Sequence, residues 1–471
     1  MTFVFYDLET TGLDDPFDQI IQFAAIVTDD SLEVLDKVDY RCRLSPHVLP
    51  NPIALAVTGV SPSILTDKSL PSQFEFAQKI REYIGQWSPA TWVGYNSLGF
   101  DENYLRQLFY QMLQPNIYET QFNNNNRFDV MLLVQACRAR KPEVLSWTKN
   151  EKGKISFKLE ILAPTNGYTE HDAHDALGDV AATIHLAKLI AKGAPDLWEL
   201  ALANRHKQDV IDRISKFEPI DLVSSYYGRL QKHTLCFCCL DGNYAAFLNI
   251  LDQDPALIID SSEEDLKDIV KNPKVIKMVA INKVPNLFPS TEDDVELSRR
   301  ADVIKDNPDF QSRLLGVVKK RFDEREADED LEVEEMIHEG FYTDSDKRLL
   351  NQFQIANWSE RQKILSNISD LRLKRLGRRL VTFQSNLKPS DQEEAVAANY
   401  LKTKWSSEDT KWATFSSVEN DLSKVRSKEM LPEEKIKELE CFYANIRSMV
   451  EQGKVPRHGV DVPTCEFSIL E

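Results

Sequence analysis

The stretch FVFYDLETTG, residues 3–12, runs from an apolar, strand-like segment directly into two acids. Carboxylates are poor strand formers and costly to bury, so Asp7 and Glu9 at the end of a core strand need a use. Successive side chains of a strand alternate faces, which places both acids on one side, roughly 6 to 7 Å apart. So placed they repel each other, and a divalent cation between them relieves that; hard Mg²⁺ or Mn²⁺ prefers carboxylate oxygens. The plainer alternative ends the strand at Tyr6 and leaves both acids as solvated turn residues.

Working outward, QIIQFAAIV and KVDYRCRL read as two further short strands joined by tight turns, as antiparallel neighbours require. FEFAQKIREYIGQW has helical spacing, TWVGYN reads as a strand and DENYLRQLFYQML as a helix. After the polar Asn123–Asn126 run, RFDVMLLVQACRAR returns to helical periodicity, and DALGDVAATIHLAKLIAKGAP ends the region as a helix stopped at Gly193 and Pro195. Strands followed by mixed strands and helices predict an α/β domain over residues 1–190.

From 195 to 360 the texture changes. TLCFCCLDGNYAAFLNIL carries a hairpin signal at Asp241 and Gly242, while ALIID and KVIKMVAIN suggest more strands, giving a small β-rich module with helices such as VELSRRADVIKDN. Residues 361–471 read as helical throughout, rich in Lys and Glu.

Seven cysteines, three of them at Cys236, Cys238 and Cys239, argue against a disulfide framework and lack zinc-site spacing. The first strand begins too early for a secretory leader, and no apolar run reaches the roughly 18 to 20 residues of a membrane span, so a cytoplasmic protein is expected. The formal charge of −18 opposes nucleic-acid binding unless the cations are segregated. They are: Lys152, Lys154 and Lys158 fall together, and Arg372, Lys374, Arg375, Arg378 and Arg379 form a dense run, with acids collected from Asp323 to Glu335. Each run taken alone also suits a solvated helix face.

Two further acids join the opening pair. Asp101 stands at the start of DENYLRQLF, where it also suits a helix N-cap. Asp179 lies in an Ala- and Val-rich helix, where a buried carboxylate needs neutralising. Four such acids suit a two-metal phosphodiester hydrolase. In EHDAHDALGD, His174 precedes Asp179 by five residues. In one continuous helix that is about 140° apart, so the two converge only if His174 sits on the preceding loop and Asp175 caps the helix. An imidazole there is suited to take a proton near neutral pH; His171 competes for that role, and either is also an ordinary loop residue.

DLETTG, GFDENYL and HDALGD resemble the three exonuclease motifs of the DEDD superfamily, in the DEDDh subclass with His five residues before the last Asp. NNRFDVMLLVQACRARKPE, SFKLEILAPTNG, LVSSYYG, INKVPNL and EGFYTDSDKRLL resemble segments of bacterial exodeoxyribonuclease I, strongly to about residue 350 and loosely beyond. The resemblance implies a ribonuclease H-like exonuclease domain (1–190), an SH3-like domain (195–360) and a helical C-terminal domain (361–471) in a C-shaped assembly. It implies two Mg²⁺ ions, replaceable by Mn²⁺, on Asp7, Glu9, Asp101 and Asp179, with His174 activating the attacking water. Glu9, Arg106, Phe157 and Lys158 would contact the substrate.

Lys158 departs from the family's Arg, keeping charge but losing the bidentate fork, and Gln135 replaces a basic residue. Phe100, Tyr118 and Phe157 are candidates to stack on bases or simply core residues; Phe157, beside Lys158, favours stacking. The implied activity is stepwise 3′-to-5′ hydrolysis of single-stranded DNA to nucleoside 5′-monophosphates, in repair and recombination. The implied state is a monomer whose closed channel keeps the strand bound between cuts. The Arg372–Arg379 run suits either that channel or the acidic tail of single-stranded DNA-binding protein. Two alternatives remain: a DEDDh exoribonuclease of short RNA, and a non-catalytic DNA-binding scaffold, which the complete set of acids and His disfavours.

Overall fold

A computed structural model describes residues 1–149, 153–169, 175–226, 229–292, 294–323 and 330–456 of the 471-residue chain. β1 (Phe3–Thr10) is the middle strand of a five-stranded sheet completed by β2 (Ile20–Thr28), β3 (Val34–Arg41), β4 (Thr91–Gly94) and β5 (Asn126–Asp129), in the order β3-β2-β1-β4-β5. The first three strands are antiparallel, as the tight connections require; β4 and β5 run parallel to β1 after helical crossovers.

The alternation of β1 decides what the sheet buries on each side. Val4, Tyr6 and Leu8 face one core, with Phe23 and Trp92, against Phe74, Phe76 and Leu108. Phe3 and Phe5 face the other, with Val93 and Phe128, against Val134, Ala163, Val180 and Ala187. Asp7 and Glu9 continue the Phe3–Phe5 row, so they emerge on the face covered by the helix Ala176–Gly193.

One helical expectation divides. RFDVMLLVQACRAR supplies both β5 and the helix Val130–Arg140, with Asp129 as the joint, its side chain accepting from the Met131 N–H. No turn residue separates the two, so the helical period of the second half masked the strand.

A second five-stranded antiparallel sheet has the order β10-β6-β7-β8-β9, from β6 (Ile220–Tyr226), β7 (Arg229–Asp241), β8 (Tyr244–Asn249), β9 (Ile276–Ala280) and β10 (Leu287–Pro289). The β7–β8 hairpin closes through Gly242 at φ +57°, and Cys236, Cys238 and Cys239 are buried free thiols, as the sequence suggests. ALIID does not form a strand: Pro255–Leu257 is a 3₁₀ turn capped by Asp254, because the proline fixes φ at a capped start. From Val295 onward helices dominate, and among the described residues none is long and apolar enough to cross a membrane.

The helical part is not a separate lobe in packing terms. Leu350, Phe353, Leu373 and Leu376 complete the core on the Val4–Leu8 face, and Leu401, Trp405, Phe442 and Tyr443 bury Ile21, Leu44 and Leu55.

Candidate active site

Pairing of β1 with β4 covers only Phe3–Phe5, so the last half of β1 is open on that side. The chain leaving β4 turns tightly there. A Cβ on Gly94 would lie 2.5 Å from the Ser97 Cβ and 3.2 Å from the Tyr6 carbonyl oxygen, so only glycine permits this approach. The turn delivers the helix Asp101–Gln111 to the end of β1. Phe100 occupies the cap position without a side-chain hydrogen bond, and Asp101 is the first helical residue rather than the cap. Asp101 is therefore free of the capping duty the sequence allowed it.

Asp179 arrives on the first turn of the helix Ala176–Gly193, whose cap is Asp175 as expected; the Asp175 side chain accepts from the Gly178 N–H. That helix packs across β1 and β2. Asp7, Glu9 and Asp179 each present an oxygen such that all three lie within 4.8 Å of one another. The site lies at the carboxyl end of β1 beside parallel β4, where open α/β sheets place their ligands.

The electrostatics are unfavourable to an empty pocket. Burial, then the charges of Asp101, Asp179 and Glu9, raise the Asp7 carboxyl well above its ordinary range. Burial and the charges of Asp179 and Asp101 push Glu9 up to about 8, against a small opposing effect of Arg41. Asp101, only 3% exposed, is pushed up to about 8 by burial, Asp129 and Glu102, although the Leu8 N–H partly relieves it. Its Oδ1 is buried with no partner. An orphaned carboxylate oxygen beside three converging carboxylates fits a hard divalent cation.

His174 and His171 lie outside the described residues, as does Lys152. Arg106 is brought near but not left free: it pairs with Glu102 at 3.2 Å and lies over the Tyr118 ring at 5.5 Å. Lys158 starts the helix Leu159–Thr165, mostly exposed, and pairs with Glu160 at 2.8 Å. Phe157 is half-buried, edge-on to Trp147, and its carbonyl accepts from the Tyr95 hydroxyl. Phe100 and Tyr118 are partly buried against the core on the Val4–Leu8 face, and Gln135 is buried. Of the basic run, Arg372 is spent on Asp370 and Arg379 on Glu334, while Arg375 and Arg378 are exposed.

Sequence reasoning missed Glu102. It is 1% exposed and accepts from Tyr6, Thr120, Arg106 and Arg127, so it anchors the helix that carries Asp101. A charged residue directly after a candidate ligand, on a helix otherwise patterned for burial, was the available signal.

A family model described as exonuclease, of the RNase T type, matches residues 4–187. The exodeoxyribonuclease I of Buchnera aphidicola from Schizaphis graminum is 31% identical over 439 residues, covering 86% of this chain and 87% of the relative. The chain belongs to the exodeoxyribonuclease I family. Among solved structures, the moderately thermophilic exonuclease I of Methylocaldum szegediense aligns with TM-score 0.74 and 27% identity over 95% of this chain and 99% of that one. Escherichia coli exonuclease I, solved in complex with a dT13 oligonucleotide, aligns with TM-score 0.78 over 95% of this chain and 99% of that one; at 22% identity this speaks to fold alone. The match reaches well past the exonuclease domain, so this exodeoxyribonuclease I family member shares the whole architecture with its relatives, not only the acid motifs.

Proposed function

We propose that this protein removes nucleotides from the 3′ end of single-stranded DNA, releasing nucleoside 5′-monophosphates, in DNA repair and recombination. The observation that carries the reading is the convergence of Asp7, Glu9 and Asp179 oxygens within 4.8 Å, beside the partnerless buried Oδ1 of Asp101.

In this reading Asp7, Glu9, Asp101 and Asp179 hold two Mg²⁺ ions, for which Mn²⁺ substitutes. Ions bound there supply Lewis-acid stabilisation of the charge that develops on the phosphate and leaving oxygens. His174 accepts the proton of the attacking water as its oxygen bonds to phosphorus. The bond from phosphorus to the 3′ oxygen of the preceding nucleotide breaks, and that oxygen leaves as a new 3′ hydroxyl once protonated. Glu9 and Lys158 hold the terminal nucleotide and its phosphate, Phe157 offers a base a stacking face, and Arg106 supports the strand from the Asp101 helix.

We assign residues 1–190 to the exonuclease domain, 195–360 to an SH3-like domain and 361–471 to a helical domain, together forming a C-shaped channel. The shared core of Leu350 and Phe353 with the first sheet favours drawing the second boundary earlier than 360. The protein is read as a cytoplasmic monomer. A relative has been solved as SSB/exonuclease I with an inhibitor, which supports single-stranded DNA-binding protein as a partner, through its acidic tail.

The test uses purified protein with Mg²⁺ on end-labelled single-stranded DNA, duplex DNA and RNA, with EDTA as control. Mononucleotides released from the 3′ end of single-stranded DNA are expected. Preferred degradation of RNA, or undiminished DNA degradation by Asp7→Ala, overturns the assignment.

A further inference from the structure

Asp129 caps the helix Val130–Arg140, a duty for which one side-chain oxygen is enough. Its carboxylate does more. Oδ1 accepts from the Met131 N–H at 2.9 Å and from the Asn96 N–H at 3.0 Å, while Oδ2 accepts from the Leu98 N–H at 3.2 Å. Two of these three donors belong to the turn that joins β4 to the helix Asp101–Gln111. The sheet register brings them within reach, because Asp129 lies opposite Gly94, the last residue of β4.

An acid is a costly choice for this place. Asp129 is 2% exposed, no cation pairs with it among the described residues, and burial pushes its carboxyl up to about 6 in spite of the backbone donors. Its charge also raises the neighbouring Asp101 carboxyl. Asn or Ser would cap the helix without burying a charge. What they lack is the second acceptor: an asparagine would turn an NH₂ group toward the Leu98 N–H, donor against donor, and a serine hydroxyl is a single atom. Both carboxylate oxygens are needed to hold the helix start and the turn together.

The turn so held leads directly to a candidate metal ligand. Asn96 has φ +64°, a left-handed conformation that asparagine tolerates better than most residues but that its surroundings must still maintain. Ser97 sits between the two residues that Asp129 grips, and its carbonyl accepts from the Glu102 N–H at 2.9 Å. The Gly99 N–H closes the turn on the Asn96 carbonyl at 3.0 Å. Since Phe100 supplies no side-chain cap, these backbone bonds set where the helix starts, and with it the place of Asp101, whose Oδ1 is buried without a partner.

We propose that Asp129 is a positioning residue for the divalent-cation site: by clamping the Asn96 and Leu98 N–H groups it fixes where Asp101 presents its carboxylate. The proposal rests on the nuclease reading above and extends it from the four acids to the residue that supports one of them from behind. Asp129 itself touches neither ion nor strand in this account. Groups that orient a metal ligand in this way are typically responsible for about 10–100-fold in metal affinity or activity.

The test measures Mn²⁺ binding to the full chain without DNA, from the paramagnetic resonance signal of the free ion, for wild type, Asp129→Asn and Asp129→Ser. Urea melts and binding of a fluorescent dT oligomer in EDTA accompany it. Both variants should bind Mn²⁺ about 10–100-fold more weakly, and the Mn²⁺ concentration for half-maximal DNA turnover should rise by the same factor, while affinity for the oligomer in EDTA stays at the wild-type value. A lowered melt with unchanged Mn²⁺ affinity of the folded variants would show a structural cap only and overturns the proposal. So does a loss of oligomer affinity in EDTA without a loss of Mn²⁺ affinity. Gly99→Ala reaches the same turn with the cap intact, since its Cβ would lie 3.1 Å from the Asn96 Oδ1. It should weaken Mn²⁺ binding in the same direction; if the Asp129 variants fail to fold, unchanged affinity in Gly99→Ala overturns the proposal in their place. A wild-type protein that binds no Mn²⁺ overturns the nuclease reading and this proposal together, whereas wild-type binding with unaffected variants overturns this proposal alone.

Discussion

The Tyr6 hydroxyl donates to the Glu102 carboxylate at 2.9 Å, joining the residue before one candidate metal ligand to the residue after another. Asp7 and Asp101 lie 94 positions apart in sequence, and this bond links the strand that carries one to the helix that carries the other. Tyr6 is 2% exposed and Glu102 1%, and burial with the Glu102 charge holds the phenol proton firmly in place. A hydrogen bond to a charged group contributes about 1.5–3 kcal/mol. Tyr6→Phe should therefore lower stability by about 2 kcal/mol in urea melts and raise the Mg²⁺ concentration needed for half-maximal activity. An unchanged melt and metal requirement would show that Arg106 and Arg127 alone hold Glu102.

The acid pocket predicts a pH dependence of stability that metal opposes. Glu9 and Asp101 are each pushed up to about 8, far above an unfolded carboxylate. A group whose folded pKa is raised contributes stability that is present below its unfolded value and lost as pH rises through the folded one. In EDTA, stability should fall between about pH 4.5 and 8, by at most about 1.4 kcal/mol per pH unit for each group. Cations that bind the ionised carboxylates oppose the loss, so the gain on adding Mg²⁺ should grow with pH. Thermal melts with and without Mg²⁺ across this range test it; a metal increment independent of pH would contradict the shared ligation.

Replacing one carboxylate should split activity from stability. Burial and four neighbouring acids disfavour the Asp7 charge in the metal-free protein. Asp7→Asn should raise the EDTA melting temperature while lowering single-stranded DNA turnover by about a hundredfold or more, since lost transition-state stabilisation of several kcal/mol translates tenfold per 1.4. A variant both less stable and less active would mean that Asp7 is structural.

Much of this was legible because it is local. Asp7 and Glu9 share a face by the period of a strand, and Asp175 caps a helix one turn before Asp179; each follows from spacing within a few residues. β5 was hidden because Asp129 turns strand into helix with no intervening loop, and ALIID because an apolar run cannot declare its partner. Glu102 was hidden for a deeper reason. Its partners Tyr6, Thr120 and Arg127 are brought together only by the crossover between β4 and β5, so no window of sequence contains the network. The basic run hides its differences similarly: Arg372–Arg379 looks uniform along the chain, but the fold gives its members different neighbours.

That last difference is measurable. Arg379 pairs with Glu334, donates to Gln111 at 2.8 Å, and shares Glu334 with Lys404, while Arg378, one residue earlier, is exposed. Its partners connect the helical region to the loop after β1, because Gln111 also donates to the Pro16 carbonyl and Lys404 lies over the Phe17 ring. Removing one member of a buried pair leaves the other charge without compensation, at about 3–5 kcal/mol. Arg379→Met should cost about that much, whereas Arg378→Ala should stay within about 0.5 kcal/mol of wild type, as exposed substitutions do. Denaturant melts of the two variants decide it. Equal effects would mean that the run acts as one solvated face; the expected contrast would show that Arg379 is a strut between the helical region and the catalytic strand, leaving Arg375 and Arg378 as the members available to a ligand.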